Sequence, residues 1–124
     1  MSRLSPEDAL EHFGLALWGA GYFGIDEKGR LTISPTGSAG ARISIEELTR
    51  LAAEAGLSTP LVLRFPQILD RRVEELVEAF RRAAVEFEAE DLEFRPAFPV
   101  KVNQKSAVIE ALLESGRPHG MSLE

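Results

Sequence analysis

A chain of 124 residues has the length of one compact domain, and a 44% hydrophobic content suits a protein that buries a core. The formal net charge of -6 and the pI near 5.0 argue against a nucleic-acid or anionic-membrane surface, because an acidic protein releases no counterions from a polyanion. The absence of cysteine excludes disulfides and thiolate metal sites, and His12 and His119 stand too far apart in sequence to suggest a metal motif. The opening MSRLSPEDALEHF carries acids where a signal peptide needs an apolar core, and no stretch approaches the roughly 18 to 20 apolar residues of a membrane span. A cytoplasmic protein is expected.

Ser5, followed by Pro6, Glu7 and Asp8, starts a short helix: proline suits the first helical position, the acids complement the dipole, and Gly14 offers a left-handed stop. LALWGAGYFGID and RLTIS, on either side of a turn at Glu27, Lys28 and Gly29, read as two strands of a hairpin. PTGSAGA at 35 to 41 is then a loop. The S-x-x-E spacing of Ser44 and Glu47 is that of a capping box, with Ile43 and Leu48 placed as a hydrophobic staple, so a helix should run to about Ala55 before Gly56.

From Pro60 the pattern changes to LVLRF at 61 to 65, an apolar run ended by Pro66 that reads as a buried parallel strand. A helix over 67 to 89 follows, with Leu69, Val73, Leu76, Phe80, Ala84 and Phe87 on one face and a Glu78–Arg82 pair on the other. FRPAFPV at 94 to 100 reads as a second strand, weakened by its prolines, and leads through KVNQ into a helix that carries Val108, Ile109, Leu112 and Leu113 and stops at Gly116. After Pro118, HGMSLE can begin a third strand. The expected order is βαβαβ, an α/β arrangement that fits an open doubly wound sheet or part of a (β/α)8 barrel, since right-handed crossovers make consecutive strands parallel.

Lys101 follows an apolar run and precedes a helix, which sets its amine at the C-terminal end of a strand, the edge where α/β proteins assemble their sites. Position alone does not separate it from a solvated surface lysine. The surrounding residues do. FPVKVNQ at 98 to 104 resembles the lysine motif of the biosynthetic arginine decarboxylases, a branch of the fold-type-III enzymes dependent on pyridoxal 5'-phosphate (PLP), which usually reads YPIKVNQ. LRFPQIL at 63 to 69 resembles the strand-to-helix segment of that family, WGAGYFGIDEKG at 18 to 29 its N-terminal hairpin, and ESGRPHGMSLE at 114 to 124 the segment that leads to its LEAGSK, all in the family's order. EAEDLEFRPAF departs from it by lacking the tyrosine and glycine usual before the second strand.

The resemblance implies a helix and β-hairpin region over 1–42, as part of an accessory β-domain, and a partial PLP-binding barrel over 43–124. It implies that Lys101 is both the catalytic and the cofactor-binding residue, forming an imine with PLP, yielding to the α-amine of L-arginine and returning to release agmatine after carbon dioxide leaves. A desolvated setting would leave more free amine for attack. Asn103 and Gln104 would line or orient the site, or Asn103 would cap the next helix. The glycine-rich phosphate site, the acid facing the pyridine nitrogen, the guanidinium-binding carboxylates and the proton-donating cysteine belong to later segments of family members. The 124 residues alone are therefore expected to be inactive, and their open strand edges to favour self-association.

Magnesium dependence and homo-oligomers come with the family, while no metal ligand, nucleic-acid partner or membrane partner is expected of this chain. A non-catalytic binding or regulatory module derived from the enzyme is the competing reading. Activity on ornithine, lysine or diaminopimelate ranks below the arginine reading, because the WGAGYFGID and RFPQIL blocks resemble the arginine branch. Arg71, Arg72, Arg81 and Arg82 read as a solvated helix face, since Glu74, Glu75 and Glu78 interleave them. Trp18, Tyr22 and Phe23 read as hairpin core or a partner-facing patch, and His119 is assigned no role at the cofactor.

Overall fold

The computed structural model describes residues 4–124 and has an α/β fold. Helix α1 (Pro6–His12) opens with a complete capping box: Ser5 Oγ accepts from the Asp8 N–H at 3.1 Å, and the Asp8 carboxylate accepts from the Ser5 N–H at 3.2 Å. Gly14, at φ 61°, ends it as expected. LALW, expected as strand, is instead the helical turn α2 (Leu15–Trp18), held by Trp18 Nε1 donating to the Phe13 carbonyl at 2.9 Å. The left-handed residues Ala20 and Gly21 then keep the backbone from extending until Phe23.

Strands β1 (Phe23–Ile25) and β2 (Leu31–Ile33) form the expected antiparallel hairpin. At its turn, Asp26 Oδ1 accepts from the N–H groups of Lys28 and Arg30 at 3.0 and 2.9 Å, the Arg30 guanidinium closes on Oδ2 at 2.8 Å, and Gly29 supplies φ 77°. A third strand not anticipated from the sequence, β3 (Ile43–Ser44), pairs antiparallel with β2. Tyr22, Leu15 and Ile33 are buried here, while Trp18 is 56% exposed and so lies outside the core.

Helix α3 (Ile45–Glu54) begins at Ser44, whose Oγ accepts from the Glu47 N–H at 3.1 Å. Only this half of the expected capping box forms, because the Glu47 carboxylate turns to Arg50. The chain divides into two compact units, Met1–Phe65 and Pro66–Glu124. The division falls after Phe65 and not after residue 42, because α3 packs on β2 and β3 and stays with the hairpin. Residues 61–65, expected as a buried strand, have no regular secondary structure and pair with no strand among the described residues, and Val62 is 72% exposed. An apolar run becomes a strand only where a neighbour satisfies its N–H and C=O groups.

In the second unit, α4 (Pro66–Glu86) packs Val73 and Val77 against α5 (Ser106–Gly116), where Leu112 is buried. It stops short of residue 89 because Glu88 adopts φ 52° and the Ala89 N–H folds back to the Ala84 carbonyl at 2.8 Å. The apolar face expected on α4 is covered only in part: Phe80 stacks on Phe94 at 3.9 Å between ring centroids, whereas Phe87 is 76% exposed. Glu78 pairs with Arg81 rather than with the expected Arg82.

Strands β4 (Ala97–Phe98) and β5 (Ser122–Leu123) pair in parallel, joined by α5, with Ala97 opposite Ser122 and Phe98 opposite Leu123. The strand expected over 94–100 shrinks to two residues because Pro96 and Pro99 donate no N–H to a ladder. The described order of this unit is therefore α4-β4-α5-β5, with one strand-helix-strand crossover in place of the expected βαβαβ. Asn103 Oδ1 accepts from the Lys105 N–H at 3.2 Å just before α5, so its carboxamide serves the helix start.

Two outcomes follow from these local bonds. The N–H of Arg30, first among several donors, holds the Asp26 carboxyl below its usual 3.8 against the opposing effect of desolvation. A depressed carboxylate contributes stability that is present above its unfolded value and lost as pH falls through the folded one. Melting curves from about pH 6 down to about pH 2 should show the hairpin unit weakening below 3.8, and Asp26→Asn should flatten that response. Asn103→Ala should destabilise the second unit by up to about 1 kcal/mol in chemical denaturation.

Candidate active-site lysine

Lys101 is the middle residue of a 3-10 turn (Val100–Val102) that begins two residues after β4. Three main-chain hydrogen bonds bind this strand tip to β5: the Ser122 N–H donates to the Pro96 carbonyl at 3.0 Å, the Glu124 N–H to Phe98 at 2.9 Å, and the Val100 N–H to the Glu124 carbonyl at 2.8 Å. The turn is closed by the Val102 N–H on Pro99 at 3.0 Å and the Asn103 N–H on Val100 at 3.1 Å. Because the strands are parallel, Lys101 and Glu124 lie on the same edge, the one formed by the C-terminal ends of β4 and β5. That is the edge expected from the sequence.

The Lys101 side chain is exposed, so the desolvated setting expected around its amine is not built by these residues. Gln104 is exposed beside it, and the half-buried Asn103 is engaged with the Lys105 amide. His119 ends the 3-10 turn (Arg117–His119) that leads into β5, which puts it at the N-terminal end of that strand, the opposite edge from Lys101. Its Nδ1 is buried without a hydrogen-bond partner. The structure thus sets the two residues at opposite ends of the parallel strands.

Two open grooves indent the second unit, and Lys101 lines neither. The larger, of about 1220 Å³, runs beside Phe80, Ala84, Phe87, Leu92, Phe94 and His119. The smaller is bordered by Asp70, Glu74, Glu114, Ser115 and His119, with the Ser115 hydroxyl donating to Asp70. Size favours these grooves as ligand sites, but chemistry does not: neither offers a primary amine, and the larger is mostly apolar. Among the described residues no group of three or more His, Asp or Glu side chains could hold a metal ion, and no helix is long and apolar enough to cross a membrane. Lys28, Lys101 and Lys105 are all exposed amines, and Lys101 is the one that follows on the tip of β4. Sequence reasoning missed the tie from Glu124 to Val100, since two-residue ladders leave no periodic signal.

No model of a known protein family matches the chain. It is 39% identical over 116 residues to the biosynthetic arginine decarboxylase of Shewanella frigidimarina, covering 93% of this chain and 18% of that protein. To the biosynthetic arginine decarboxylase of Thermosynechococcus vestitus it is 36% identical over 123 residues, covering 99% of this chain and 19% of that one. The crystal structure of the biosynthetic arginine decarboxylase SpeA from Campylobacter jejuni superposes with a TM-score of 0.77 at 26% identity, over 90% of this chain and 18% of that chain. The chain therefore spans less than a fifth of the length of the relatives it matches. By sequence over nearly its whole length and by fold, it corresponds to the N-terminal portion of the biosynthetic arginine decarboxylase family.

Proposed function

We propose that this chain is the lysine-bearing part of an arginine decarboxylase that converts L-arginine to agmatine and carbon dioxide, and that Lys101 would hold PLP through its ε-amine. The observation that carries the reading is the position of Lys101, exposed on a strand tip within FPVKVNQ, on an edge shared with the end of a parallel neighbour. The kinship with named decarboxylases supports it. On this reading β4, α5 and β5 are one unit of a (β/α)8 barrel, and β1 to β3 belong to an accessory β-domain. Magnesium dependence, assembly into homo-oligomers and a cytoplasmic setting accompany the proposal as family traits.

PLP, when bound, supplies an electron sink for the charge left behind as carbon dioxide departs. The part of Lys101 would be to present a primary amine as the nucleophile toward the carbonyl carbon of that group. The part of β4 and β5 is to fix where that amine is presented, because a strand tip bound on both sides of Pro99 has little freedom to wander. Asn103 contributes by ending the turn, and Gln104 stands free to face whatever occupies the edge.

The chain by itself turns over no arginine on this proposal, because its described residues offer the amine and little else toward the cofactor. Incubation with PLP followed by borohydride reduction and peptide mapping should concentrate the label on Lys101 over Lys28 and Lys105, the other two lysines of the chain. Lys101→Ala should remove that preference. Equal labelling of all three lysines would remove Lys101 from the cofactor site.

A further inference from the structure

The strand that ties down the Lys101 turn is itself seated by a contact at the far end of α5. Gly116 is buried at the C-terminus of that helix, and its carbonyl accepts from the Met121 N–H at 3.1 Å. The Met121 side chain lies directly on the glycine: a Cβ added to Gly116 would come within 2.5 Å of Met121 Sδ and 2.9 Å of its Cγ, and would also overlap its Cβ. Overlap with Cβ cannot be relieved by rotating the side chain, so the Met121 backbone would have to move. Met121 immediately precedes β5, and β5 delivers the hydrogen bonds to Pro96, Phe98 and Val100 on the approach to Lys101. Gly120, at φ 66°, makes the bend between helix and strand.

We infer that Gly116 is a positioning residue for Lys101, acting through Met121 and the main chain of β5. The inference rests on the reading of Lys101 as the PLP lysine. It gives Gly116 a role beyond ending a helix, because a side chain at that position displaces Met121, from which β5 continues to the bonds that hold the turn presenting the amine. No contact between Gly116 and the cofactor is involved.

The test uses the whole chain, with PLP and borohydride as the probe and Lys28 and Lys105 as internal standards. Gly116→Ala should reduce the preference for Lys101 by up to about a hundredfold, as expected of an amine misplaced by about 1 Å. Adding Met121→Gly to that variant should restore the preference, which a general loss of folding would not do. Hydrogen exchange at the Val100 amide should quicken in Gly116→Ala and recover in the double variant. If Gly116→Ala alone does not fold, the double variant with Met121→Gly should fold and keep the preference for Lys101, and its failure to do so would overturn the inference.

Unchanged labelling and unchanged Val100 exchange in Gly116→Ala would overturn the inference. Faster Val100 exchange in a protein whose lysines all label equally would leave the coupling in place and overturn the reading of Lys101.

Discussion

Parallel pairing between β4 and β5 is the constraint on which the candidate site depends. A lysine three residues beyond a strand end would otherwise sit on a short connector, free to sample many orientations. Hydrogen bonds to β5 on both sides of Pro99 turn that connector into a fixed edge. The arrangement needs a helix between the strands, because parallel neighbours cannot be joined by a tight turn. Helix α5 fills this role, and its own placement comes from Leu112 packed toward α4 and its buried Val73 and Val77. Core packing, crossover, ladder and turn thus form one chain of dependence that ends at an exposed amine.

Polar detail in the first unit serves a different end. Asp26 gathers two backbone amides and a guanidinium at the tip of the β1–β2 hairpin, and Ser44 caps α3 where β3 stops. Such bonds fix where elements begin and turn, which is the usual work of Asp and Ser at these positions. The surface ion pairs of α3 and α4 are exposed and add little stability individually.

Signals that depend on a few neighbouring residues were the most legible in the sequence. The Ser5 start, the Gly14 stop, the Glu27 to Gly29 turn and the Ser44 cap each use local chemistry, and each stands where the sequence places it. Strands were less legible, because pairing is decided by partners distant in the chain. Residues 61–65 have the composition of a buried strand and no partner among the described residues, whereas Ile43 and Ser44 have no strand signature yet pair with β2. Glycines around LALW decide against extension there through backbone angles that apolar alternation does not register. The strand edge that carries Lys101 was legible from the apolar-run-then-helix order, but the seat of Met121 on Gly116 was not, since a glycine that ends a helix and one that makes room for a neighbour are written with the same letter.

A two-stranded parallel sheet leaves each strand with one face of amides and carbonyls outside any ladder. Chains that meet edge to edge gain hydrogen bonds there, and the exposed rings and aliphatic groups near the end of α4 add apolar area to the same unit. What holds such encounters apart is the shared negative charge, felt over only about 10 Å in 0.1 M salt. Added salt shortens that reach and weakens the repulsion between two copies.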